Sequence, residues 1–158
     1  MSRRFVASDA DLALVRRHHW VFYGILVLAP VEWLWRGRPA GATSVVGFLL
    51  AVAGVAGYRH AGRALGDQLG PLVAPCEPAV LVERGPYRRI RHPMYLAELA
   101  MAFGVPLLLG ARATLAGSVL FAALVLHRIG VEEAALTERL PRYPHYATRT
   151  SRLIPHVY

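Results

Sequence analysis

The chain has 158 residues, 55% of them hydrophobic, with a mean hydropathy of +0.37 and a formal net charge of +8. A soluble domain of this size buries only about 70% of its unfolded surface, so this composition would leave large apolar patches in water, and lipid is the solvent that accommodates it. The single cysteine, Cys76, excludes an intramolecular disulfide and falls far short of a thiolate metal site.

Four apolar segments follow one another, at residues 20–35, 42–58, 93–109 and 111–127, each 16 or 17 residues long. At 1.5 Å per residue each makes roughly 25 Å of helix against a hydrocarbon core of ~30 Å, so interfacial side chains must complete the spans. Trp20, Tyr23, Trp33 and Trp35 suit that task. The first segment follows Arg16-Arg17-His18-His19 and lacks a small-residue cleavage site, so it is expected to stay in the protein.

Gly37, Pro39 and Gly41 mark a tight turn between the first two segments, and Gly110 alone separates the last two, so two helical hairpins are expected. All 18 basic residues are Arg, and 15 of them precede the first segment, lie between residues 59 and 91, or follow residue 127. The positive-inside rule then sets both termini and the middle connection on the cytoplasmic side. Gly47, Ala51, Gly54, Ala56 and Gly57 predict close helix packing. Gly62, Gly66 and Gly70 predict an extension of the second helix, which Pro71, Pro75 and Pro78 bring to an end. The expected fold is an all-α polytopic membrane protein of about four transmembrane helices, one domain over residues 1–158, with a C-terminal helical hairpin.

No strand–helix alternation accompanies a Gly-rich turn, which excludes a Rossmann cofactor fold. Arginines at membrane edges are accounted for by topology and anionic lipid, so no nucleic-acid partner is expected. The lipid bilayer is the expected partner, and oligomeric state is left open. His60 and His127 close apolar segments and formally allow a haem site, but axial imidazoles normally lie within paired helices rather than at their ends.

Two polar clusters flank the last hairpin. The first is Gly85-Pro86-Tyr87-Arg88-Arg89-Ile90-Arg91-His92-Pro93-Met94-Tyr95. Pro93 suits the first turn of a helix and His92 sits near its cap, leaving backbone N–H groups open to an anionic ligand group. The second cluster begins where the fourth segment ends and contains Arg128, Glu132, Glu133, Leu136, Tyr143, Tyr146, Arg152, Ile154 and Pro155. Arg128 and Glu132 are one turn apart and share a face. As an exposed ion pair they would be worth only a few tenths of a kcal/mol, which points away from a purely stabilising role.

In this order and spacing the clusters resemble the isoprenylcysteine carboxyl methyltransferase family, integral membrane enzymes with many short bacterial members. The matching elements are Gly-x-Tyr-x-x-x-Arg-His-Pro-x-Tyr, a hairpin, Glu-Glu-x-x-Leu, paired tyrosines and a terminal Arg-x-Ile-Pro, within residues 79–155. The resemblance implies S-adenosylmethionine as methyl donor, S-adenosylhomocysteine as product, a cytosolic cofactor pocket, and a lipophilic or small-molecule acceptor, most simply a carboxylate. The short, Arg-only chain is expected to be a bacterial inner-membrane protein, with the cytoplasmic termini that the arginine distribution sets. The cofactor pocket would be lined by Ala79, Val80, Leu81, Val82, Tyr87, His92, Pro93, Met94, Tyr95 and Glu132. Arg128 and Glu133 would act in catalysis, and Arg128, Glu98, Tyr143, Tyr146 and Arg152 would meet the acceptor. Leu140-Pro141 stands where the family has Phe-Gly, a departure at the lid over the acceptor.

An ionised carboxylate needs no base, whereas a thiol or amine would pass a proton to His92 or Glu133. Glu98 lies inside an apolar segment, either lining the pocket or paired with an Arg, and Glu32 is expected at the interface. Two other readings are a nicotinamide-dependent reductase of a related membrane family and a non-enzymatic membrane scaffold.

Overall fold

The computed structural model describes residues 9–37, 41–68 and 80–155. Five α-helices account for most of them: α1 (Asp9–Arg36), α2 (Ala42–Leu65), α3 (Pro93–Leu109), α4 (Arg112–Arg139) and the short α5 (Tyr143–Thr148). Single 3-10 turns occupy Gly66–Gln68 and Gly85–Arg88, and an isolated bridge joins Ile90 to Ser151.

Three helices run beyond their apolar segments. Helix α1 starts at Asp9, with Asp9 and Asp11 in its first turn where carboxylates complement the helix dipole. Helix α2 continues to Leu65 and stops at Gly66, whose φ of +59° departs from the helical range. Helix α4 passes its apolar stretch and reaches Arg139, which carries Arg128, Glu132 and Glu133 out on a rigid rod. Pro71, Pro75 and Pro78, expected to end the second helix, lie outside the described residues.

Helices α2 and α3 pack antiparallel along a seam of small residues. A Cβ on Gly47 would stand 2.7 Å from the Gly104 carbonyl, and one on Gly54 would stand 2.8 Å from that of Ala97. Ala51 belongs to the seam, because a Cβ on Gly104 would lie 2.6 Å from its nitrogen, whereas Ala56 is exposed and takes no part. The expected hairpin of the first two helices is not a packed pair: α1 lies against α3 and α4. The reason is steric. Helix α2 offers α3 a nearly flat face, while Phe22 and Ile25 of α1 fill the space beside Phe121 and Val125 of α4. The second hairpin forms as expected, turning on Gly110 with a left-handed φ of +67°.

Glu32 joins α1 to the start of α4. Its carboxylate accepts from the backbone N–H groups of Ala113 and Thr114, at 3.1 and 2.9 Å, and from the Thr114 hydroxyl at 2.9 Å. A side chain from another helix thus caps α4, whose own N-cap residue is Ala111. The chain's other faces are apolar and open: Val45, Phe48, Leu49 and Val52 on α2, and Val119 and Leu120 on α4, are all exposed. Among the described residues, α2 and α4 are long and apolar enough to cross a membrane, while α3 is apolar but shorter.

Candidate active site

The start of α3 is held from both sides. Gly85, with φ of +58°, opens the turn that buries Tyr87, and a Cβ there would meet Ala64 of α2 at 3.1 Å. Pro93 takes the first position of α3 and His92 its N-cap. The C-terminal segment then pairs with the approach to the helix. Arg91 N–H donates to the Ser151 carbonyl at 2.8 Å, His92 N–H to Arg152 at 3.0 Å, and Ser151 N–H to Arg89 at 3.0 Å.

Glu133 is the latch of this arrangement. It accepts from Arg91 Nε at 2.7 Å and from Arg152 Nε at 2.9 Å, and His92 Nε2 stands 3.2 Å away. Arg91 also donates to the carbonyls of Ala147, at 2.8 Å, and Thr150. Burial by itself would raise the Glu133 carboxyl, but the hydrogen bonds and charges of His92 and Arg91 outweigh it and hold the group down at about 2.

Beside the latch lies a cavity of about 310 Å³, within the range of small-molecule sites. Val80, Leu81, Val82, Met94, Leu136 and Leu140 form its apolar lining, and Tyr87, Tyr95, Tyr143 and Tyr146 its aromatic one. Tyr95 donates to Glu132 Oε2 at 2.6 Å, which links α3 to α4 across the cavity wall. His92 stacks on Tyr95 with ring centroids 5.6 Å apart, and the Arg128 guanidinium stands over the same ring at 5.4 Å. The Tyr146 hydroxyl donates to the Tyr87 carbonyl at 2.7 Å. The buried Tyr143 hydroxyl has no hydrogen-bond partner among the described residues, an arrangement that a bound polar ligand would complete. Burial raises the hydroxyls of Tyr87 and Tyr143 well above the usual range and pushes that of Tyr146 up to about 12, so all three remain neutral donors near pH 7.

Further along the cavity the lining changes character. Glu98 from α3, Arg128 from α4, His19 from α1 and Tyr58 from α2 all reach it. Behind Glu98 stands the buried His18, with Nε2 2.9 Å from Glu98 Oε2 and its ring 5.0 Å from that of Phe121. The pairing of Glu98 with an arginine is therefore replaced by pairing with a histidine.

Of the residues singled out from sequence, Val80, Leu81, Val82, Tyr87, His92, Met94, Tyr95, Glu98, Arg128, Glu132, Tyr143 and Tyr146 come together on this one cavity. Pro93 is buried in the first turn of α3 and shapes the wall from behind, while Ala79 lies outside the described residues. Glu133, expected in catalysis, and Arg152, expected to meet the acceptor, stand beside the cavity and bind each other. Sequence reasoning missed His19, Tyr58, Leu65, Gln68 and Arg91 on the lining, together with His18 behind Glu98. Arg91 carried a signal, since it sits inside the first polar cluster. The others lie on apolar helices or their ends with no local pattern to mark them.

A family model described as phospholipid methyltransferase matches residues 37–142, more than half of the chain. The matched stretch includes both Tyr95 and Glu132 and ends just before Tyr143. It bears out the resemblance to the integral membrane methyltransferases read from the polar clusters. A comparison with curated proteins found no match.

Proposed function

The chain belongs to the phospholipid methyltransferase family and is a membrane methyltransferase, and from that premise we propose that it transfers a methyl group from S-adenosylmethionine to a lipophilic acceptor, most simply a carboxylate. We propose further that all four long helices cross a bacterial inner membrane, with both termini and the cavity at the cytoplasmic face. The observation that carries the reading is the Tyr95–Glu132 pair at 2.6 Å set in an aromatic wall. A carboxylate held by a phenol suits an amino or ribose hydroxyl group, and tyrosine faces suit a sulfonium.

S-adenosylmethionine, when bound, supplies an electrophilic methyl group on a positively charged sulfur. The protein's own part is to bind, align and exclude water, and alignment of two reactants contributes up to roughly 7–11 kcal/mol in favourable systems. Glu132 and the Tyr143 hydroxyl would hold the polar groups of the donor. Tyr87, Tyr95 and the apolar run of Val80 to Val82 would enclose the rest. Arg128, stacked over Tyr95 and buried, would present its planar fork to an acceptor carboxylate.

A second reading has one observation in its favour. Glu98 lines the same cavity as Arg128, and a carboxylate there suits an acceptor amine. Such an amine would lose its proton to Glu98, with His18 behind it, before using its lone pair on the methyl carbon. His92 and Glu133, the bases expected from sequence, are engaged with each other.

The test is transfer of labelled methyl from S-adenosylmethionine by the purified protein to carboxylate and amine lipids. A base-labile methyl ester supports the first reading, and a base-stable methylamine supports the second. No transfer, together with NADPH binding, would replace both with the reductase.

A further inference from the structure

A second cavity, of about 330 Å³, shares no lining residue with the first. Arg88 and Arg89 enter it from the turn before α3, and Thr148, Arg149, Thr150 and Ser151 enter it from the end of α5 and the segment that follows. Among the described residues no carboxylate lines it. Glu83 approaches only through its ion pair with Arg149, and Arg142 Nη2 stands 3.9 Å from the same carboxylate. Arg88 and Arg89 are exposed, and their side chains make no hydrogen bond or ion pair among the described residues.

We propose that this cavity is a binding site for a phosphate-bearing anion. Glu83 compensates Arg149, whereas the guanidinium groups of Arg88 and Arg89 bring two further positive charges to the same hollow, which repel one another unless a charge of opposite sign lies between them. The threonine hydroxyls do not compete as donors, because Thr148 already donates to the His145 carbonyl and Thr150 to that of Tyr146. The donors left over are the Arg88 and Arg89 forks, whose geometry matches tetrahedral oxyanions. The site spans the two segments whose backbone pairing, Arg91 to Ser151 and Ser151 to Arg89, holds Arg91 against Glu133. An anion bridging Arg88 or Arg89 to Arg149 tightens that pairing from its outer side and so stabilises the wall of the first cavity.

Both a lipid headgroup and free phosphate present this chemistry, and the test separates them. Thermal unfolding of the full chain in neutral detergent is followed with dioctanoylphosphatidylglycerol, dioctanoylphosphatidylcholine, inorganic phosphate, or chloride at matched ionic strength. The midpoint is expected to rise with phosphatidylglycerol over phosphatidylcholine, and the double variant Arg88→Gln, Arg89→Gln is expected to weaken that response about tenfold or more. Arg59→Gln, Arg63→Gln, which removes the same charge from exposed positions on α2, should leave it unchanged. A rise with inorganic phosphate over chloride assigns the site to free phosphate, and a rise with phosphatidylglycerol alone assigns it to a headgroup. Equal loss in both double variants, or no rise with either phosphate probe, overturns the site. Should the first double variant fail to fold, phenylglyoxal labelling of the wild type decides. The effective probe must shield Arg88 and Arg89 and leave Arg59 and Arg63 reactive, and uniform reactivity overturns the proposal.

Discussion

Tyr95 on α3 donates its hydroxyl proton to Glu132 on α4 at 2.6 Å, across the wall of a cavity that both side chains line. The two residues are 37 positions apart in sequence, and the bond ties the first turn of one helix to the C-terminal half of another. Tyr95→Phe is expected to leave the helices in place and weaken donor binding about tenfold, the worth of one hydrogen bond to a charged group. Glu132→Gln should cost about as much or more. Isothermal titration with S-adenosylhomocysteine measures both, and wild-type affinity in the two variants would remove this pair from the donor site.

Acid stability should depend on Glu133. Its folded-state pKa is lowered to about 2 from an ordinary 4.5, so the unfolded chain takes up the proton first as pH falls. The stabilisation is therefore fully present above about 4.5 and drains away as pH drops through the folded value. Glu133→Gln should lower stability near pH 7 by about 3 kcal/mol, because Arg91 loses its partner in a largely buried site. It should also flatten the decline between pH 4.5 and 2. Urea unfolding across that window in detergent provides the check, and an unchanged acid slope would contradict the latch.

The α2–α3 seam predicts opposite outcomes for two alanine substitutions. Gly47→Ala drives a methyl against the backbone of α3, near Leu108 N and 2.7 Å from the Gly104 carbonyl, and backbone cannot step aside. A loss of about 1–3 kcal/mol is expected. Gly24→Ala, on α1, meets nothing within 4 Å and should be tolerated or slightly stabilising. Thermal midpoints of the two variants against wild type distinguish them.

Arg128→Ala should separate acceptor from donor. The side chain is buried and stands over the Tyr95 ring, toward the part of the cavity that Glu98 reaches. Its removal is expected to lower kcat/KM for a carboxylate acceptor about ten- to a hundredfold while leaving donor affinity within about threefold. Steady-state kinetics paired with titration of S-adenosylhomocysteine gives both numbers.

Local chemistry made much of this legible. Pro93 opens α3 because proline suits the first helical position, and Arg128 and Glu132 reach one cavity because four residues make one helical turn. What stayed hidden depends on long-range packing. His18 and Glu98 are 80 positions apart on different apolar helices, so no spacing announces their bond. Glu133 looks in sequence like Glu132's twin, yet it faces Arg91 and Arg152 instead of the cavity because successive helical positions diverge by about 100°. The partner of α1 cannot be read from its short connection to α2, because complementary surfaces rather than adjacency in sequence decide contact.

The most direct measurement of the central claim is thermal unfolding of the detergent-purified chain with S-adenosylmethionine, S-adenosylhomocysteine, NADPH or no ligand. A ligand that binds only the folded state adds about 2.7 kcal/mol at 100 times its dissociation constant. The donor site built on Tyr95 and Glu132 predicts a rise with both adenosyl ligands, none with NADPH, and loss of that rise in Glu132→Gln. A rise with NADPH alone, or an adenosyl response unchanged in Glu132→Gln, would contradict it.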